Sequence, residues 1–420
     1  MPPPEPIAIR SRLPFHYGWI MVATGVLTLF ACLGVGRFAL GMLLPAMGVQ
    51  LELSYGEMGF ISTGNFIGYL IAVLICGRLN SLLGARRLIF FGLLAIGLSL
   101  LLVSQADHFI VVLLLYLITG IGTGVANIPI MGLVAHWFAP KYRGRAAGTM
   151  IAGNGLGILF SGSLVPYLNV VGGDDGWRMS WLVFGGLIVL ISVACIVLIR
   201  NNPEELGLKP IGAEDDQHAD QQAPLLEPSQ QDRRKMLTHL GSLYFLFGFT
   251  YSIYLTFIVT TLVQEYDYSE SVAGQFWMGI GFLCIFSGPL FGTLSDRLGR
   301  RLGLALVFAL QTLAYLLAAA NFGSIGLFLS MLLFGLVAFS IPPIIAATLG
   351  DYMGPYQVAT SFGYVTFFFS IGQIIGPTLA GTLAEASGSF SGSYLLSASL
   401  TALAVGLALM LRKPSLKPAD

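Results

Sequence analysis

The chain has 420 residues, 55% apolar and only 10% charged, with 21 basic residues balanced by 21 acidic ones. Soluble domains carry about 25% charged residues, and a nucleic-acid partner calls for a basic surface, so this composition excludes both. Cys32, Cys76, Cys195 and Cys284 all fall within apolar runs. That is the placement of small core residues, not of a disulfide framework or a metal site, and neither a metal nor a cofactor is expected.

A membrane-crossing helix needs about 20 mostly apolar residues. Twelve such stretches occur, at 17–47, 55–80, 86–106, 109–136, 145–168, 178–200, 237–263, 270–295, 302–320, 323–349, 357–385 and 390–412. Residues 1–16 are Pro-rich and then basic, and the run that follows is too long for the apolar core of a signal peptide and offers no small-x-small cleavage site, so helix 1 is expected to stay. Residues 201–236 are polar, acidic and non-periodic and read as a cytoplasmic linker without fixed structure. The expected fold class is therefore an all-α polytopic membrane protein of twelve helices, with one six-helix bundle at 1–200 and another at 237–420. The lipid bilayer is its main partner, and a monomer is expected.

Basic residues mark the cytoplasmic side of a membrane protein. With the N-terminus inside, every lysine and arginine falls on cytoplasmic segments except Arg178, which lies outside, and Arg37, which lies in the membrane. Both termini are then cytoplasmic. The two halves also echo each other. Gly77-Arg78-Leu79 through Arg86-Arg87 follows helix 2, and Gly292-Thr293-Leu294 through Arg300-Arg301 follows helix 8; Ile128-Pro129 in helix 4 matches Ile341-Pro342 in helix 10. Two spaced matches at nearly one offset indicate a duplicated unit, and paired six-helix repeats place a substrate site between them near mid-membrane.

Gly292-x-Leu294-x-Asp296-Arg297-x-Gly299-Arg300-Arg301 resembles the signature loop of the major facilitator superfamily. The resemblance implies that helices 1, 4, 7 and 10 line a central cavity, and that Asp296, Arg297, Arg300 and Arg301, with Gly292 and Gly299, form a conformational latch. The first-half copy departs from the pattern, with Ser81 and Leu82 where Asp and Arg are usual, so the latch is expected to lean on Asp296. Tyr17-Gly18-Trp19 and Trp137-Phe138-Ala139-Pro140 are similar to the monocarboxylate and oxalate–formate branch. Those transporters usually carry an Arg in helix 8 before Pro-x-x-Gly; here Gly288 precedes Pro289, and helix 11 lacks the Lys of the oxalate type. Gly34 to Ala46 and Gly248 to Thr256 instead look like a branch of uncharacterised bacterial facilitators.

Arg37, in Leu33-Gly34-Val35-Gly36-Arg37-Phe38, is the one basic residue inside a long apolar run. A charge there costs at least ~2.5–3.5 kcal/mol on insertion scales and rarely faces lipid. At about 1.5 Å per residue it sits roughly 7–8 Å beyond the middle of helix 1, on the non-cytoplasmic side. The alternative is a structural Arg that caps carbonyls or pairs with a buried acid, but no Asp or Glu lies deep in any helix. Arg37 is therefore the first candidate for binding a small anionic substrate, because a guanidinium offers fixed donors suited to a carboxylate. Tyr116, Thr119, Tyr251, Tyr254, Gln275 and Trp277 fall in its layer and are further candidates for the substrate site, each weighed against an ordinary packed position. Asn127, Asn154 and Gln373 are possible pore amides, with interhelical hydrogen bonding the preferred reading, and Asn65 and Tyr69 are treated likewise.

Gly153-Asn154-Gly155-Leu156-Gly157 and Gly120-Ile121-Gly122-Thr123-Gly124 lie inside apolar helices with no preceding strand, so they are read as close helix crossings rather than nucleotide loops. Pro129, Pro289, Pro342, Pro343 and Pro377 mark candidate bends. No P-loop occurs, and no acidic or imidazole side chain is central, so proton symport, facilitated diffusion and anion exchange all stay open. The expected function is secondary or facilitative transport of a small organic anion, a carboxylate, and not an enzymatic activity. An exporter of amphipathic compounds and a transport-dead sensor on the same fold are the alternatives.

Overall fold

Two helices in corresponding positions of the halves show how the sequence builds its scaffold. Each starts on a serine cap. Ser54 Oγ accepts from the Glu57 N–H at 3.2 Å while Glu57 accepts the Ser54 N–H at 2.9 Å, and Ser269 Oγ accepts from the Val272 N–H at 3.3 Å. Such caps satisfy amides that a helix start leaves unpaired. Both helices run 29 residues, Tyr55–Leu83 and Glu270–Leu298, and both stop at a glycine with positive φ, Gly84 at +75° and Gly299 at +88°. A side chain there would be strained. Starts and ends are displaced by the same 215 positions, so the repeat seen in the loop motif extends through the caps.

The computed structural model describes residues 15–213, 226–228, 230–320, 322–353, 358–412 and 416–418. Among them the twelve expected helices are present: α1 (Gly18–Gln50), α2 (Tyr55–Leu83), α3 (Ala85–Val103), α4 (Phe109–Trp137), α5 (Pro140–Gly172), α6 (Gly176–Leu198), α7 (Gln230–Glu265), α8 (Glu270–Leu298), α9 (Arg300–Ala319), α10 (Gly323–Met353), α11 (Val358–Ser387) and α12 (Ser391–Leu409). Large apolar side chains such as Leu74, Leu98, Leu190 and Ile325 lie exposed on the outside of this all-helical body, the surface a bilayer covers. Two helices start earlier than the hydropathy pattern predicts. α5 begins at Pro140, whose fixed φ and missing N–H suit a first helical position, and α7 extends as a polar turn from Gln230.

Of the expected linker, residues 214–225 and 229 lie outside the described residues. The rest is tied down. Pro203–Leu206 forms a short 3₁₀ turn, Ile211 exchanges backbone hydrogen bonds with Trp137 and Ala139 at 2.9 Å, and β1 (Leu226–Pro228) pairs antiparallel with β2 (Leu416–Pro418) near the chain end. Leu206, Leu208 and Ile211 pack against the core, which is why a mainly polar segment is held here. His16, Lys209 and the paired strands share one face of the bundle. We call it the terminal face and its opposite the distal face.

Small residues set the helix crossings. A Cβ on Gly34 would lie 2.7 Å from the Gly157 Cα, and one on Gly155 would lie 2.5 Å from the Gly281 carbonyl. These contacts bring α1 onto α5 and α5 onto α8, the close backbone approach that glycines permit. Of the prolines read as candidate bends, Pro129, Pro289 and Pro377 sit within continuous helices, whereas Pro342-Pro343 interrupts α10. Ser287 of α8 satisfies the groups released there. It accepts the Phe339 N–H at 3.1 Å, and its own carbonyl accepts the Ser340 hydroxyl at 3.0 Å.

The described hydrogen bonds between α1–α6 and α7–α12 run through the distal parts of the helices. Thr63 bonds to the Ile374 carbonyl at 2.8 Å and to Thr378 at 2.7 Å, Ser62 to Thr256 at 3.0 Å, and Gly56 N–H to Glu385 at 3.0 Å. On the other seam Asn169 donates to Glu270 at 2.6 Å and the Trp277 indole to Ser161 at 3.1 Å. No comparable packing joins α4 to α10. The halves are thus closed distally and parted toward the terminal face.

Candidate functional site

Helix α1 does not hold one winding throughout. From Phe30 to Phe38 it widens into π-helical turns, and Arg37 lies in the last of them. Such turns are rare, recur at functional sites, and change which carbonyls are paired. Helix α4 supplies partners for them. Thr123 donates to the Cys32 carbonyl at 3.1 Å, and the Tyr116 hydroxyl lies 3.0 Å from the Gly36 carbonyl and 2.8 Å from that of Arg37.

Arg37 is 7% exposed. Its Nε donates to Asn65 Oδ1 at 2.9 Å, and Asn65 Nδ2 donates to the Tyr116 carbonyl at 3.3 Å. The guanidinium carbon sits 4.5 Å from the ring centre of Tyr69 and 5.1 Å from that of Phe66, within cation–π range. The Tyr251 hydroxyl of α7 lies against the same guanidinium. Nη2 is buried and has no hydrogen-bond partner among the described residues, and no carboxylate there pairs with Arg37. An unpaired buried cation is costly, so this group is poised for an anion. The adjoining cavity, lined by Arg37, Ser62, Phe66, Tyr251 and Thr256 among others, has free space of about 20 Å³, enough for a water molecule.

Arg178, the other arginine off the cytoplasmic pattern, makes the contrast. It pairs with Asp107 at 2.7 Å and Asp175 at 3.4 Å, donates to the Ser104 and Ala106 carbonyls, and lies over the Trp177 ring. It is fully used as a tie at the distal face, and Arg37 is not.

The other candidates divide by the face they occupy. Tyr251 meets Arg37 and accepts a hydrogen bond from Gln373 Nε2, while Gln373 Oε1 is buried without a partner. Asn127 donates to the Tyr69 hydroxyl at 3.3 Å. These join Arg37 in one polar cluster between the halves. Tyr116 and Thr119 share its depth, but their hydroxyls are turned to the α1 carbonyls and to Ser99 at 3.1 Å. Tyr254 bonds Ser330 at 2.7 Å inside the second half, Trp277 is buried against Ser161, and Gln275 is exposed on α8. Asn154 is buried with Oδ1 unpartnered. Asn65 and Tyr69, read from sequence as packing residues, are the nearest neighbours of the guanidinium. The signal that could have found them is their spacing of four on α2, which puts both on one helix face.

In the loop after α8, Asp296 pairs with Arg300, and Arg300 Nε also donates to Asp351 at the end of α10 at 2.7 Å. Arg297, Gly299 and Arg301 are exposed and Gly292 is half-buried. Asp351 was not singled out in the sequence, since it belongs to no loop motif.

Known proteins share both the fold and the sequence. The chain is 25% identical over 358 residues to a hexuronate transporter of Bacillus subtilis (strain 168), covering 82% of each chain. It is 27% identical over 322 residues to a 3-(3-hydroxy-phenyl)propionate transporter of Escherichia coli (strain K12), covering 76% of this chain and 75% of that one. A solved bacterial homolog of the human lysosomal transporter Spinster, in an inward-facing and occupied conformation, superposes with a TM-score of 0.71 at 14% identity, covering 94% of this chain and 95% of that one. Twelve helices in two repeats, an apolar exterior and a polar cluster between the halves are the frame of a membrane transporter, not of an enzyme. A family model matches residues 29–410, nearly the whole of that frame, and the chain belongs to its family, the major facilitator transporters described as uncharacterised MFS-type transporter YbfB.

Proposed function

We propose that this transporter carries a small organic anion, a carboxylate, by alternating access around Arg37. The observation that carries the reading is the buried, unpartnered Nη2 of Arg37 in a site without a resident carboxylate. The substrate supplies the missing negative charge. Asn65 holds Nε and fixes the plane of the guanidinium, leaving its outer nitrogens for the two carboxylate oxygens, the bidentate geometry arginine favours. Tyr251 and Gln373 belong to the second half, so an anion bound there touches both halves at once. That is the link that couples binding to rocking.

The relatives named for hexuronate and for hydroxyphenylpropionate both carry substrates with a carboxylate, which supports the chemical class. The basic residues favour both termini on the cytoplasmic side, and the conformation described above then opens inward. The two six-helix units at 1–200 and 237–420 are the bodies that rock.

Counterflow in proteoliposomes tests the reading. Vesicles loaded with an unlabelled carboxylate should accumulate the same labelled carboxylate transiently, and the matching uncharged amide should neither drive this nor inhibit it. Equal exchange of acid and amide would overturn the anion reading.

A further inference from the structure

The walls around Arg37 narrow the anion further, and this step rests on the reading just given. Charge comes first. The site offers one guanidinium, and among the described residues no lysine, second arginine or histidine joins it in that layer. An anion of one charge brings the site to neutrality. A phosphate monoester or a dicarboxylate would leave a net negative charge in the membrane interior, where charge is expensive.

Shape comes second. Tyr244, Phe247 and Tyr251 recur at helical spacing on one face of α7. Phe247 stacks on Tyr251 with ring centres 4.8 Å apart and planes at 13°. Phe369 of α11 lies 5.7 Å from both rings, at 17° and 15°, and stacks on Tyr244 at 4.5 Å and 19°. The four rings are close to parallel and end at the Tyr251 hydroxyl, against the guanidinium. Across from them α2 presents the faces of Phe66 and Tyr69 to Arg37. The anion-binding group therefore sits at the end of a stack of flat rings.

Polar capacity comes third. A sugar acid carries several hydroxyls, each needing a partner when buried. Ser62 and Thr256 are bonded to each other, Asn65 is bonded at both ends of its amide, and the Asn127 amide is bonded to Tyr69. Beside Arg37 Nη2, the unpartnered buried polar atom of this cluster is Gln373 Oε1, an acceptor for one hydroxyl.

We propose that the site selects an aromatic monocarboxylate, with the carboxylate on Arg37, the ring laid against the Phe247–Tyr251–Phe369 stack, and at most one ring hydroxyl given to Gln373. Sugar acids, dicarboxylates and phosphate esters are poor fits for the same three reasons.

The test is binding to the purified full chain in detergent, measured for 3-phenylpropionate, acetate, glucuronate and glucose 6-phosphate. 3-Phenylpropionate should bind at least tenfold tighter than acetate or glucuronate, and glucose 6-phosphate weakest. Phe369→Leu should weaken 3-phenylpropionate about fivefold, the range of a lost aromatic stacking contact, and leave acetate within about twofold, a split that general damage to the fold would not give. Glucuronate or glucose 6-phosphate binding tighter than 3-phenylpropionate would overturn the aromatic assignment. If that binding is lost in Arg37→Ala, the anion reading stands without it; if 3-phenylpropionamide binds as well as the acid, both fall.

Discussion

At the scale of single residues, two arginines depart from the charge pattern and the structure separates them. Arg178 has two carboxylates, two carbonyls and an indole face. Arg37 has one amide, two ring faces and a tyrosine hydroxyl, with one nitrogen unpartnered. Arg37 was legible in the sequence because a charge in an apolar run is expensive wherever it points. Its surroundings were less so. Depth along a helix follows from counting residues, but the direction of a side chain depends on helix rotation, which an apolar run on a fully surrounded helix does not record. Tyr116 shows the difference. It lies at the expected depth, yet its hydroxyl goes to carbonyls of the widened turn in α1. Tyr116→Phe should therefore act on stability. Leaving buried carbonyls unsatisfied costs about 1–3 kcal/mol, so the melting temperature should fall while the affinity for the anion stays within about threefold. Loss of binding with an unchanged melting temperature would place Tyr116 in contact with the substrate instead.

At the scale of helices, caps and breakers carried most of the information. Ser54 and Ser269, Gly84 and Gly299, and Pro342-Pro343 each act locally, through hydrogen bonds or backbone angles that their own residue types dictate. The π-helical turns from Phe30 to Phe38 have no such local signature. They depend on hydroxyls from α4, far away in sequence. The seam between α2 and α11 is likewise a tertiary product, in which Thr63 and Thr378 approach to 2.7 Å. If this seam opens and closes during transport, locking it should stop the cycle. In a background without the native cysteines, Thr63→Cys with Thr378→Cys should cross-link under mild oxidation, abolish uptake, and recover it on reduction. Full transport by the cross-linked protein would show that the seam stays closed throughout.

At the scale of the whole molecule, the arrangement is two repeats closed at the distal face around a cluster contributed by both. The first half brings the cation and its amide, Arg37 and Asn65, and the second brings Tyr251 and Gln373. The halves share a 215-residue offset in caps and loops, but their polar content at the centre is not shared. Composition and periodicity could show the scaffold, since twelve apolar runs and a repeated loop motif survive in the sequence itself. They could not show the cluster, which exists only where α1, α2, α4, α7 and α11 meet. The account depends most on Arg37 holding the substrate's negative charge. The most direct measurement is the dissociation constant of 3-phenylpropionate for the wild type, Arg37→Lys and Arg37→Gln, each checked for an intact melting transition. The account predicts measurable binding to the wild type, weaker binding to Arg37→Lys because a point charge replaces the planar fork, and loss of at least about tenfold more in Arg37→Gln, where the charge is gone. Equal affinity in all three proteins would contradict it.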